Sequence, residues 1–501
     1  MKKSLPLIAA LSLFCISFNA AATSETDAGK YLASIIDKPQ QIRKFVQDMP
    51  KGGDLHNHTS GSTFAERMLQ YAAHDNLCVN RSTFTVTVNK ECPANDLLNT
   101  AVKDIEFKDA LIDAWSMHHF FPGQESGHDH FFKTFGKFGL IAHEHTGEIL
   151  AEIANRAANQ NELYVETMIT ADGGQSGRLG KKLGWDPDFA RMRSKLLANG
   201  IDKIAASVTT YLDQVEAKKN SELRCGTTDA KPGCSLKLRY QQQIHREQTP
   251  EVIFAELVGA FEAASKEPRL VGLNMVMPED GIISMRDYKL HMKMIQFLRP
   301  FYPNVHVTLH AGELSKDYAS QDGLKFHIHD AVVTAGADRI GHGVDVANED
   351  NFPQLLQIMA EKRIMVEINL SSNAEILNIE GKDHPLPLYL QYGVPVALST
   401  DDEGVTRDIL TTEYVKAIST YHLDYAVLKN MVRNTISYAF IPGENLWQDA
   451  DYRSMQPACA HSLDSEQPKA ECRSLLKSSE KAALQWELEK RFITFESKFK
   501  D

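Results

Sequence analysis

Eight short apolar runs, each followed by a stretch with helical periodicity, recur along this chain of 501 residues. The runs cover residues 53–56, 163–168, 203–209, 271–276, 305–310, 338–341, 363–369 and 394–399. Between them lie amphipathic stretches such as 148–158, 251–264 and 351–362. A strand that passes through a helix before the next strand returns in the same direction, so strands of this kind pair parallel. Eight such units predict an α/β fold, a (β/α)8 TIM barrel, with its functional groups gathered where the strands end.

Chemistry-bearing residues fall at those ends. Asp54-Leu55-His56-Asn57-His58 closes the first run and His310-Ala311-Gly312-Glu313 the fifth, while Gly341-His342-Gly343 follows the sixth and Ser399-Thr400-Asp401-Asp402 the eighth. Imidazole and carboxylate are ligands a zinc ion takes, and an acid beside the ion can carry protons. His-x-His alone is weak, because the chain has four copies, His128/His130, His143/His145 and His327/His329 besides His56/His58. Residues two apart project to one side of a strand but about 200° apart on a helix. Only His56 and His58 close a strand pattern, so only they form a natural chelating pair. His310 is a candidate ligand with Glu313 as proton carrier, the intervening Ala311 and Gly312 allowing a tight turn. His342 is placed to orient a metal-bound water. Of the adjacent Asp401 and Asp402, one can bind metal while the other meets substrate.

The first 22 residues form a targeting segment: Lys2 and Lys3, an apolar stretch over 5–18, and Ala20-Ala21-Ala22 as cleavage site. The apolar stretch is too short to span a bilayer. The expected location is the periplasm or the external medium, with no membrane attachment after cleavage. Losing Cys15 with the leader leaves six of seven cysteines in sequence-local pairs: Cys78 with Cys92, Cys225 with Cys234, Cys459 with Cys472. An even number in an oxidising compartment predicts disulfides. Each pair sits in a polar, turn-rich stretch, near 77–100, 216–248 or 447–478, expected to be a stapled surface excursion. A helical segment, 23–48, leads into the barrel, 49–446, and the extension 447–501 carries a helical tail over 480–498. The net charge of −12, which becomes −14 once Lys2 and Lys3 leave, argues against nucleic acid or an anionic membrane as partner. A small-molecule substrate is expected, and a homodimer is compatible with the sequence.

With these motifs in this order, the chain resembles the adenosine deaminases, above all the secreted branch related to adenosine deaminase growth factors. The similarity extends from Met49 to Thr406 and includes Met49-Pro50-Lys51-Gly52-Gly53, Ser372-Asn373 and His384-Pro385-Leu386-Pro387. The resemblance implies a hydrolase of adenosine, or of a related 6-aminopurine nucleoside such as deoxyadenosine, that yields inosine and ammonia by attack of zinc-bound hydroxide. It implies that His56, His58, His310 and Asp401 hold one zinc ion per chain and that Glu313 protonates the purine ring nitrogen. His342 would orient the hydroxide, and Asp402 would bind the purine's imidazole nitrogen.

Three positions depart from the family's pattern. Ser60 stands where the family has a sugar-contacting Asp, Met277 where a Gly backbone meets the purine, and Glu403 where a Pro follows the double Asp. They bear on substrate identity rather than on the reaction. The alternatives are a deaminase of another aminopurine or amino-heterocycle, and an extracellular signalling module on the same fold. A pure binder has no need of Glu313 or His342. A dinuclear amidohydrolase would want a bridging Lys in 274–280, and a cytidine-type deaminase a Pro-Cys-x-x-Cys; the chain has neither.

Overall fold

The computed structural model describes residues 17–123, 125–460, 462–463 and 467–500. Eight parallel strands form the barrel: β1 (Gly52–His58), β2 (Glu162–Ile169), β3 (Lys237–His245), β4 (Leu270–Val276), β5 (His306–Ala311), β6 (Arg339–His342), β7 (Met365–Ile368) and β8 (Val396–Leu398). Each pairs with its successor. The ring closes just beyond β8, where Asp401 N–H donates to the His56 carbonyl and His58 N–H to the Asp401 carbonyl. The last motif is therefore stitched directly to the first.

Most strands are buried along their whole length because helices cover the outside, which is why they read as continuous apolar runs. The helices Thr146–Asn159, Pro250–Ala264 and Phe352–Lys362 stand where the amphipathic pattern put them. The third run is a correction. Residues 203–209 lie inside the helix Ile201–Glu222, whose buried Ile201, Ala205, Val208, Leu212 and Val215 follow the helical repeat. The true third strand, β3, lies inside the stretch 216–248 that was expected to be an excursion. Its sequence, with Gln241, Gln242 and Gln243 in succession, has no apolar run to recognise. Its polar side chains reach partners inside the barrel: Gln241 Nε2 donates to Glu166 at 2.9 Å and to the Leu55 carbonyl at 3.2 Å. Only the loop before the strand, stapled by Cys225–Cys234, is an excursion.

The three disulfides join the expected partners, Cys78–Cys92, Cys225–Cys234 and Cys459–Cys472. The N-terminal segment is helical over Ser17–Ser34 and Pro39–Asp48, and the C-terminal tail over Glu480–Glu496. The two ends pack together, with Phe45 edge-on to Phe495 at 5.1 Å between ring centroids. The proposed leader lies outside the described residues except for 17–22, which open the first helix. Among the described residues no helix is long and apolar enough to cross a membrane.

Candidate active site

The four motifs converge at the C-terminal mouth of the barrel. His56 and His58 Nε2 lie 3.1 and 3.2 Å from His310 Nε2. Asp401 Oδ1 stands 3.1 Å from His58 Nε2 and 3.5 Å from His56 Nε2. Imidazole nitrogens facing one another this closely call for a cation between them. Four atoms placed tetrahedrally at zinc–ligand distances would stand about 3.3 Å apart, close to the four contacts observed here, so the donor chemistry suits zinc. His342 also brings a nitrogen within 4.8 Å of the donors of His56, His310 and Asp401. Its Nε2 lies to one side, 3.7 Å from Glu313 Oε1 and 3.8 Å from Asp401 Oδ2. The tighter set is His56, His58, His310 and Asp401.

Behind these donors stands a second layer that the motifs did not reveal. His56 Nδ1 donates to Glu367 Oε2 at 2.7 Å, and His310 Nδ1 to Asn274 Oδ1 at 2.9 Å. These bonds fix which nitrogen of each ring faces the site. Glu367 in turn accepts from Arg339 Nε at 2.6 Å, and Arg339 Nη2 reaches Glu166 at 2.6 Å. Ser372 Oγ donates to Asp401 Oδ2 at 2.6 Å. The Glu279 carboxylate accepts the Gly312 and Glu313 N–H groups at 3.0 and 2.8 Å, bracing the turn that carries Glu313. That turn uses the positive φ of Gly312, +76°. His342 and Asp401 adopt φ of 68° and 60°, a region costly for residues with a side chain and found where function fixes orientation.

Burial is the largest influence on every titratable group here. At Asp401 it is outweighed by hydrogen bonds from His56 and His58, which hold the carboxyl well below its usual range. At His56 burial is outweighed by Asp401 and Glu367, which hold the ring at about 10. Burial lowers His342 to about 3, so that imidazole is neutral. Glu313 is pushed well above the carboxylate range by burial, then by Asp401 and Glu279. Asp402 is pushed the same way by burial and by Asp401. Both shifts favour the protonated acid.

A cavity of about 420 Å³ opens over the donors. Phe131, Phe135 and Phe138 of the helix Gly127–Glu144 form one wall, and Val276 and Met277 after β4 another. Gln243 and His245 of β3, Ser60, Glu313 and Asp402 complete it, and among the described residues no Lys or Arg lines it. Asp402 Oδ1 is buried without a hydrogen-bond partner. Met277 keeps a left-handed backbone, φ +83°, and its side chain stands 37% exposed at the rim. Glu403 points away from the cavity and accepts from Arg156 Nη2 at 2.6 Å.

The other His-x-His copies are taken up in histidine–carboxylate pairs: His128 with Asp280, His130 with Glu125, His143 with Glu144, His145 with Asp75, and His327 with the Glu279 that braces the Glu313 turn. Sequence reasoning missed Gln243 and His245 along with β3. It also missed Glu367, although a lone acid inside the buried run Met365–Ile368 is itself a signal, since such a charge needs a partner. Sequence reasoning also passed over Phe131, Phe135 and Phe138, whose i, i+4, i+7 spacing is the signal of an apolar helix face.

Fold and site together define an eight-stranded barrel with a buried His/Asp donor set at its mouth. Residues 212–448 match the adenosine deaminase family model. An adenosine deaminase of Enterococcus faecalis is 30% identical over 139 residues, 28% of this chain and 38% of its own length. An aminodeoxyfutalosine deaminase of Streptomyces coelicolor is 25% identical over 415 residues, 81% of this chain and 85% of its own. The match thus spans well under half of the first relative and most of the second. Among solved structures, Arabidopsis ADAL complexed with GMP shares the fold with a TM-score of 0.51 at 20% identity, covering 80% of this chain and 94% of that one.

Proposed function

We propose that this protein is a zinc-dependent hydrolytic deaminase of adenosine or a closely related 6-aminopurine nucleoside, with one zinc ion per chain. The observation that carries the reading is a donor set with four contacts at 3.1–3.5 Å beside two buried acids whose burial favours the protonated form. His56, His58, His310 and Asp401 would hold the ion, which when bound brings a coordinated water to a pKa of about 7. Glu313 donates its proton to the purine ring nitrogen beside the reacting carbon. Asp402, protonated, donates to the imidazole nitrogen of the base, a role a neutral carboxylic acid can fill where an ionised one cannot. His342, neutral, serves as a hydrogen-bond donor beside Glu313. Water is consumed and ammonia leaves.

The lining argues for a nucleoside rather than a nucleotide. A phosphate would meet carboxylates and no Lys or Arg, even though the Arabidopsis neighbour was solved with GMP. Ser60 offers the sugar a neutral hydroxyl, weaker than a carboxylate acceptor, so adenosine and 2′-deoxyadenosine should be turned over comparably. The three disulfides and the N-terminal targeting pattern support action outside the cytoplasm, as in the secreted branch that the sequence resembles. The test is ammonia release from adenosine, 2′-deoxyadenosine, adenosine monophosphate and aminodeoxyfutalosine, with metal analysis of the same preparation. A preference for the monophosphate would overturn the nucleoside assignment. No turnover of any of the four would overturn the deaminase reading.

A further inference from the structure

Two stretches of the sequence, Ser372-Asn373 and His384-Pro385-Leu386-Pro387, lie outside the metal donors and outside the cavity lining. We propose that Asn373 and His384 are positioning residues that set the tautomer of His342, so that its proton sits on Nε2, the nitrogen facing Glu313 and Asp401. The kinetic part of this proposal rests on the deaminase reading; the tautomer itself does not.

The direction of every bond in the relay follows from one unambiguous donor. Leu386 N–H, a backbone group that can only donate, reaches His384 Nδ1 at 3.1 Å. His384 Nδ1 must therefore be the acceptor, and in a neutral ring the hydrogen sits on Nε2. His384 is 2% exposed, and burial holds it neutral, its pKa lowered to about 4. His384 Nε2 lies 3.1 Å from Asn373 Oδ1 and donates to it. That contact decides which way round the Asn373 amide stands, a choice electron counts leave open. With its oxygen occupied, Asn373 presents Nδ2 to His342 Nδ1 at 2.9 Å. An amide nitrogen donates only, so His342 Nδ1 accepts and Nε2 carries the hydrogen.

The relay crosses three elements. His384 precedes the helix Leu386–Tyr392, Asn373 lies in the helix Leu370–Leu377 after β7, and His342 ends β6. Asn373 and His342 are fully buried, so bulk water offers no competing partner. Asn369 is the other amide nearby, but its Nδ2 stands 3.4 and 3.5 Å from the two ring nitrogens, too far from either to select between them. Directed this way, His342 offers a hydrogen-bond donor between Glu313 Oε1 and Asp401 Oδ2, 3.7 and 3.8 Å away. The opposite tautomer would offer a lone pair.

The sharpest perturbation is Asn373→Asp, which keeps shape but replaces the donor by an acceptor. It should draw the His342 proton to Nδ1. The readouts are the histidine tautomer by ¹⁵N NMR on selectively labelled zinc-loaded protein, zinc content, melting temperature, and kcat and KM separately. We expect a tautomer switch and a kcat loss of about 100-fold or more, with KM, zinc content and melting temperature little changed. His384→Leu should loosen the same preference, and His384→Gln, which restores an amide donor, should recover it. That pair carries the test if Asn373→Asp fails to fold. An unchanged Nε2–H tautomer in Asn373→Asp, or in His384→Leu, overturns the relay. A tautomer switch in a protein with no turnover of any aminopurine would leave the relay standing and sink the deaminase reading instead.

Discussion

Gly61→Ala should disable Asp402 without touching the donors. Gly61 follows Ser60 in the turn after β1, and its carbonyl accepts the Gly404 and Val405 N–H groups. Gly61 is not among the positive-φ residues, so alanine fits its backbone without strain. What alanine does not fit is the space. Its Cβ would fall 2.5 Å from Asp402 Cγ and 2.7 Å from Asp402 Cβ, against 3.4–4 Å for ordinary contact, and still nearer to Oδ1. The carboxyl group must retreat by about 1 Å, a displacement that costs up to about 100-fold where geometry governs the reaction. That corresponds to about 2.7 kcal/mol in transition-state stabilisation. The assay is kcat/KM on the best aminopurine nucleoside, with zinc content and melting temperature measured on the same protein. A kcat/KM within threefold of wild type would refute the reasoning, because it would mean that Asp402 need not stand where the structure has it.

Glu313→Gln keeps the size of the acid and removes the transferable proton, so turnover should fall by about 10²–10⁴ while zinc remains; near-normal turnover would show that another group carries the proton. His56→Ala should lose zinc and activity together, whereas His143→Ala, which alters a ring 67% exposed and paired only with Glu144, should lose neither. Asn274→Leu removes the acceptor behind His310 Nδ1, and a chelator titration should show zinc affinity reduced by about 10–100-fold. Glu349 bears on stability. Burial, against its bonds from the Ile328 and His329 N–H groups, raises its pKa from 4.5 to about 8. Between those values the folded chain binds the proton that the unfolded chain has released, so stability falls as pH rises across that window. Thermal melts should show the decline from pH 5 to pH 8, a few kcal/mol at most for this group, and Glu349→Gln should flatten it.

What the sequence made legible depended on whether a residue's neighbours in the chain were also its partners in space. β1, β5, β6 and β8 end in their own motifs, so strand, turn and donor could be read together. β3 could not, because its residues Gln241 and Gln243 are polar for reasons that lie on β2 and β1; Gln241 is bonded to Glu166 and the Leu55 carbonyl. The same holds for Glu367, Asn274 and Glu279, each at a distance in sequence from the residue it supports: Glu367 lies 311 positions from His56, and Asn274 is 36 from His310. A strand-end motif announces a ligand, but the group that orients the ligand is announced only by an out-of-place polar residue in a buried run.

Met277 shows how far a departure in one residue can be read. A methionine where the resembled family has glycine can either shift the loop or bring a thioether into the cavity. The backbone at φ +83° keeps the conformation that glycine favours, and the thioether stands at the rim of the cavity. That conformation costs a non-glycine residue about 1–2 kcal/mol, and what holds it is on either side. Arg246 N–H donates to the Val276 carbonyl, and Glu279 two residues on is bonded to Gly312 and Glu313 N–H. The loop cannot relax at Met277 without moving the turn that carries the acid. Met277 thus brings its thioether to the cavity rim on a backbone tied on either side to the turn that carries Glu313.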